Sequence, residues 1–169
     1  EGTGHVDLFL LPLDDHTVMV PQVMKADIKP LGELHNMALA EEARQHLDAV
    51  ADRVTRMGLK VVRVPMLPPF LWTAADAEPF EDPPPRDAVY YSPANTLLVN
   101  LGKGRKLAFI PELADHAVPQ GLKGMGRRYT RAAARALRKH GWNPIVVDAT
   151  ELGRWLGLFR CVTATVPKR

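Results

Sequence analysis

Apolar residues recur at two periods along this 169-residue chain, and the switches between them mark out its elements. Val6-Asp7-Leu8-Phe9-Leu10-Leu11 is an apolar, β-prone run and reads as a strand. Asp14-Asp15-His16 supplies turn chemistry, and Thr17-Val18-Met19-Val20 returns as a second strand. From Leu34 to Met57 the period lengthens. Leu39, Ala43, Leu47, Val50, Val54 and Met57 step by three and four, which predicts a helix with one apolar stripe. Gly58 is placed to end that helix, and Lys60-Val61-Val62-Arg63-Val64 follows as a strand.

The same order returns downstream. Asn95–Val99 and Lys106–Ile110 predict a strand pair around Gly102-Lys103-Gly104. A helix follows over Arg127–His140, stops at Gly141, and gives way to the strand Pro144–Val147. Gly58 and Gly141 lie 83 residues apart in equivalent places. The chain therefore reads as two copies of a strand-strand-helix-strand unit, an α+β fold of ββαβ units. The units cover about 5–65 and 90–148, with a partial unit at 150–169 whose strand is Cys161–Val166. Between the copies, a loop at 65–89 contains Glu78-Pro79-Phe80-Glu81-Asp82-Pro83-Pro84-Pro85, which suits neither helix nor central strand. This predicts a long surface loop, with Phe70, Leu71 and Trp72 able to pack it against the body.

Composition narrows the picture only a little. The length suits one domain with a real core. Lys and Arg number 22 against 19 Asp and Glu, and a net charge of +3 is too small to argue for nucleic acid. No apolar run is long enough to predict a membrane-spanning helix. The first residue is Glu1 rather than Met, so an upstream segment is expected. The single cysteine excludes an internal disulfide and is either a small buried hydrophobe or a reactive thiol. His35, His46, His116 and His140 have no metal-ligand spacing. Arg127, Arg128, Arg131, Arg135, Arg138 and Lys139 read as a solvated helix face, with a patch for an anionic partner as the alternative.

The candidate chemistry lies at the two ends. His5 and Asp7 would share one face of an extended strand. Cys161 stands almost at the other end, and a thiol becomes a nucleophile when a neighbour takes its proton. Histidine suits that task, and a carboxylate suits a planar, cationic guanidinium. His, Asp and Cys converging on one point would fit attack on a guanidinium carbon, provided the fold brings the ends together. Each residue also has a plainer reading: an unpartnered terminal histidine, a surface ion pair at Asp7, and a core thiol at Cys161.

Three segments carry a resemblance to a known family. Gly4-His5-Val6-Asp7 followed by Phe9, Tyr90 through Asn100 with Asn95 ahead of an apolar strand, and Arg160-Cys161-Val162-Thr163 are similar to segments of the guanidino-group-modifying enzymes, the pentein superfamily. The resemblance is to the C-terminal half of peptidylarginine and agmatine deiminases, with amidinotransferases next. It implies ββαβ units around a pseudo-fivefold axis, incomplete in this chain and finished by an N-terminal fragment of the same precursor. It also implies Cys161 as nucleophile, His5 as general acid and base, and Asp7 as a ligand for guanidinium nitrogens. Asn95 and Arg160 would contact substrate, although a turn residue and an ion pair are their plainer readings. The implied partner is a small guanidino compound or an arginine side chain, without metal, cofactor, nucleic acid or membrane. Where the family has paired glycines just before the Cys segment, this chain has Leu156-Gly157-Leu158-Phe159-Arg160 with a single Gly, so an inactive relative with a structural or binding role stays open beside the hydrolase and the amidinotransferase.

Overall fold

A computed structural model of the chain describes residues 6–32, 34–71, 88–115, 118–154 and 159. The first sheet has the order β1 (Leu11–Asp14), β2 (Thr17–Val23), β3 (Lys60–Met66). The Asp14 carboxylate accepts the His16 N–H at 2.9 Å and closes the turn that makes β1 and β2 antiparallel. The chain then passes through the short helix α1 (Lys25–Ile28) and the long helix α2 (Leu34–Arg56), and β3 returns parallel to β2. Two residues each of β4 (Phe70–Leu71) and β5 (Ala88–Val89) form a small antiparallel pair. The second sheet has the order β6 (Leu97–Asn100), β7 (Lys106–Glu112), β8 (Asn143–Asp148), again antiparallel and then parallel, with helix α3 (Met125–Lys139) as the crossover. A short helix α4 (Thr150–Arg154) follows.

The two sheets share a register as well as a topology. In the first, Thr17 faces Lys60 and, two residues on, Met19 faces Leu11. In the second, Leu107 faces Asn143 and, two residues on, Phe109 faces Leu97. Gly58 and Gly141 follow the two crossover helices at φ of 83° and 76°, a left-handed conformation that a side chain would strain.

The stripe that α2 buries is Asn36, Ala40, Ala43, Leu47, Ala51 and Val54. Its small alanines let the helix lie close to the sheet. Leu39 and Val50 are only half-buried, and Met57, past the helix end, is exposed. On its outer side α2 pairs its charges. Arg44 reaches Glu41 at 2.6 Å and Asp48 at 2.9 Å, and Asp48 also takes Arg63 of β3 at 2.9 Å. The hydrogen bond from Arg44 holds the Glu41 carboxyl down at about 2.

An apolar seam joins the two sheets. Leu11, Leu13, Met19 and Val64 of the first sheet pack with Ala94, Ala108, Ile110, Ala133, Ala134, Leu137 and Trp142 of the second half. The Trp142 indole N–H donates to the Leu13 carbonyl across this seam at 3.3 Å. Polar contacts reinforce it. Tyr129 of α3 donates its hydroxyl hydrogen to buried Asp27 of α1, and Arg128 reaches the same carboxylate at 3.2 Å.

Three expectations are corrected. Val6–Leu8 is a 3-10 turn, not the start of a strand, because the Val6 carbonyl accepts the N–H groups of both Phe9 and Leu10 at 3.0 Å. Asp7 therefore sits in a turn and not in a strand, and His5 lies outside the described residues. Asn95 ends a 3-10 turn (Pro93–Asn95) rather than opening a strand. Both described ends of the loop predicted at 65–89 are structured, since β3 runs to Met66, Leu67, Pro68, Pro69 and Phe70 are buried, and Phe70–Leu71 pairs with Ala88–Val89. Trp72, the proline-rich run, and the strand predicted at Cys161–Val166 lie outside the described residues.

Gly121 shows how closely the halves approach. A Cβ there would collide with the Pro30 carbonyl of the first half, which is backbone and cannot swing aside. Gly121→Ala is expected to destabilise the protein by about 1–3 kcal/mol in urea unfolding, as overpacking does elsewhere. An unchanged unfolding midpoint would refute the contact.

Candidate functional site

In both repeats a 3-10 turn leads into the first strand, at the carboxyl end of the two parallel strands. These turns, Val6–Leu8 and Pro93–Asn95, pack against each other. The sequence Ser-Pro-Ala-Asn-Thr explains the second turn. Ser92 Oγ accepts the Ala94 N–H at 3.1 Å, Pro93 has the φ that a first helical position needs, and Thr96 Oγ1 donates to the Pro93 carbonyl at 2.7 Å. Ser92, Asn95 and Thr96 are all completely buried, so this polar turn is held rigidly against the core.

Two aromatic residues near the candidate chemistry are anchored on the same apolar cluster. Phe9, two residues after Asp7, and Phe159, two residues before Cys161, both pack against the apolar cluster that contains Tyr91, Leu113 and Ala149. The turn bearing Asp7 and the turn bearing Asn95 are neighbours, although the Asp7 side chain is outside the description. His5, Arg160 and Cys161 lie outside the described residues.

The route toward Cys161 is tied down at its start. The Ala149 N–H donates to the Glu112 carbonyl at 2.8 Å. Thr150 Oγ1 donates to Asp148 Oδ1 at 2.5 Å and accepts the Ala114 N–H at 2.9 Å. The last residues of β7 and β8, Glu112 and Asp148, are register partners, so two carboxylates stand side by side at the carboxyl end of this sheet. Tyr91 lies close to both. Its hydroxyl is buried without a hydrogen-bond partner. Burial pushes the phenol far above the ordinary tyrosine range, and the charges of Glu112 and Asp148 push it further.

Sequence reasoning missed this acidic rim and its tyrosine. Superposing the two repeats by register would have exposed it, since Glu112 and Asp148 stand where the first repeat has Gln22 and Pro65. The cavity beside Tyr91, lined by Met66, Leu67, Pro93, Ile110 and Tyr129 among others, has room for about one water, too little for a guanidino ligand. Among the described residues, no three His, Cys, Asp or Glu side chains gather to hold a metal ion, and no helix is long and apolar enough to cross a membrane.

The fold these repeats define is found in deiminases. A substrate-bound cysteine-to-serine variant of agmatine deiminase from C. jejuni matches with a TM-score of 0.53 and 13% identity over 93% of this chain and 35% of that one. C. jejuni agmatine deiminase matches at 0.54 and 14% over 95% and 37%. A Porphyromonas gingivalis protein described as an arginine deiminase matches at 0.57 and 18% over 98% and 39%. The chain thus spans less than two fifths of the length of these neighbours. At such identities the likeness is one of fold. No family model matches the sequence, and no curated protein sequence does.

The unpartnered Tyr91 hydroxyl makes a prediction. Removing a buried, unsatisfied hydroxyl relieves about 1–3 kcal/mol, so Tyr91→Phe is expected to stabilise the protein by that order. The raised phenol also has a sign. A tyrosine kept neutral in the folded state contributes stability that is complete below the unfolded value of about 10 and is lost as pH rises above it. The wild type should lose stability above that pH more steeply than Tyr91→Phe. Chemical denaturation at neutral and alkaline pH tests both points, and a less stable variant would show that the hydroxyl has a partner.

Proposed function

We propose that this chain is the C-terminal part of a cysteine-dependent hydrolase of guanidinium groups, of the arginine, peptidylarginine or agmatine deiminase type. The observation that carries the proposal is the packing of Phe9 and Phe159 against one apolar cluster, in a fold shared with agmatine deiminase. The neighbour that holds substrate when its cysteine is serine agrees with a cysteine in the chemistry. Completion by an N-terminal fragment is part of the reading. It is supported by β8, whose Ile145 and Val146 point to opposite faces yet are 37% and 46% exposed.

In this reading the Cys161 thiolate attacks the guanidinium carbon, forming a C–S bond. His5 then protonates the departing amine or ammonia, leaving a covalent thiouronium. His5 next takes a proton from water, and the hydroxide adds to the same carbon. Collapse breaks the C–S bond, returns the thiolate and releases a ureido product. Asp7 accepts hydrogen bonds from guanidinium nitrogens and fixes the plane that is attacked. Asn95, on its rigid turn, and Arg160 contact the rest of the substrate. The units at about 5–65, 90–148 and 150–169 are then parts of a ring that the N-terminal fragment closes.

One observation favours a second reading, an inactive relative that serves as a binding protein. Phe159 stands in the segment where the family has glycines, and it packs into the core cluster instead of leaving space.

The test is labelling and turnover of the chain together with its N-terminal fragment. A haloacetamidine probe should modify Cys161 stoichiometrically, and a guanidino substrate should yield a ureide without an acceptor amine. Cys161→Ala should abolish both, a loss of several orders of magnitude in rate. Full turnover by Cys161→Ala would end the hydrolase reading, and an unlabelled Cys161 in folded protein would favour the binding protein.

A further inference from the structure

We propose that the outer face of α3 binds the phosphate backbone of double-stranded DNA without regard to sequence. Every exposed position of this helix is cationic: Arg127, Arg128, Arg131, Arg135, Arg138 and Lys139. The helix contains no acidic residue. Arg128 is engaged by Asp27. Among the described residues, no carboxylate pairs with the other five.

This is not how the protein treats charge elsewhere. α2 alternates its signs and ties Arg44 to Glu41 and Asp48 one turn away on either side. On α3 the one-turn neighbours Arg127, Arg131, Arg135 and Lys139 are all positive, and such pairs weaken a helix rather than strengthen it. The arrangement opposes helix stability, and an external anion would relieve it.

The spacing fits a phosphodiester strand. Arg127 and Lys139 are 12 residues apart, about 18 Å along the helix axis. One strand of duplex DNA advances about 3.4 Å per phosphate, so it presents about five over that length. Five cations with no carboxylate partner among the described residues meet about five phosphates. Four of them are arginines, whose planar guanidinium can grip two phosphate oxygens at once.

Other anionic partners fit less well. A protein interface needs an apolar centre, and no exposed position of α3 supplies an apolar side chain. A helix that lies in a membrane surface inserts its apolar side, whereas Ala133, Ala134 and Leu137 of α3 are sealed in the seam between the sheets. Single-stranded nucleic acid is gripped through aromatic stacking, and this face carries no exposed aromatic. The small net charge of the whole chain conceals the patch because acids elsewhere, on α2 among others, offset it.

The test uses the whole 169-residue chain and a fluorescent duplex DNA of arbitrary sequence, read by anisotropy across about 50–200 mM salt. The logarithm of the binding constant should fall with the logarithm of salt at a slope of about −4, the value for four to five phosphates. Changing the duplex sequence should leave affinity within about twofold. Arg131→Glu with Arg135→Glu should weaken binding at least tenfold and flatten the slope by about 2. The same pair should unfold at the same temperature or higher, because like charges on the helix are removed. The neutral pair Arg131→Ala with Arg135→Ala should also weaken binding and flatten the slope. No binding at the lowest salt, equal binding by the variants, or tighter binding to phosphatidylserine vesicles, polyglutamate, single-stranded DNA or duplex RNA would each overturn the proposal.

Discussion

The seam between the two sheets governs everything else in this molecule. The first sheet has α2 on one side, and α3 packs against strands of both sheets. Its inner residues Ala133, Ala134 and Leu137 pack with Ala108 and Ile110 of their own sheet and with Met19 and Val64 of the other. Two of the three are alanines, which lets helix and strands approach closely, while Leu137 fills the remaining depth. A fully buried leucine contributes about 1.5–3 kcal/mol over an exposed one. The Trp142 indole bonded to the Leu13 carbonyl fixes how one sheet sits on the other, which apolar packing alone would leave loosely specified.

Because the seam joins two units of equal register, it also places the candidate site. Each first strand begins at the same point relative to its parallel pair, so the turns before them emerge at the same end of the sheets. The seam brings those ends together, and the turns of Val6–Leu8 and Pro93–Asn95 become neighbours. Phe9 and Phe159 then dock on one cluster. The meeting of the two turns is a geometric consequence of repeat symmetry and needs no direct strand pairing between them.

The repeat was legible in the sequence because its signals are local. Gly58 and Gly141 mark helix ends by a backbone conformation that other residues avoid, and the crossover helices are long and periodic. The turn at Val6–Leu8 was not legible. Val-Asp-Leu-Phe-Leu-Leu has the composition of a strand, yet its first residues close a local turn and lie against Pro93–Asn95, a segment far away in sequence. The stripe on α2 was misplaced for a related reason. Hydrophobicity points to Leu39 and Val50, but close packing against a sheet selects Ala40 and Ala51 for their size. The pairing of Glu112 with Asp148 depends on the parallel register of strands separated by a whole helix, so no local pattern carries it.

The two faces of α3 also differ in what determines them. The inner face is dictated by the fold, since a larger or polar residue at Ala133 would part the sheets. Nothing in the fold dictates the outer face. Any mixture of polar residues would keep the helix in place, and a mixture of both signs, as on α2, would serve it better. A face that contains only cations therefore reflects a demand other than folding. The same reasoning applies to Tyr91, whose ring fills the core but whose unbonded hydroxyl contributes nothing to it. In a packed domain of this size, departures from what packing requires are the places where the sequence reports on function.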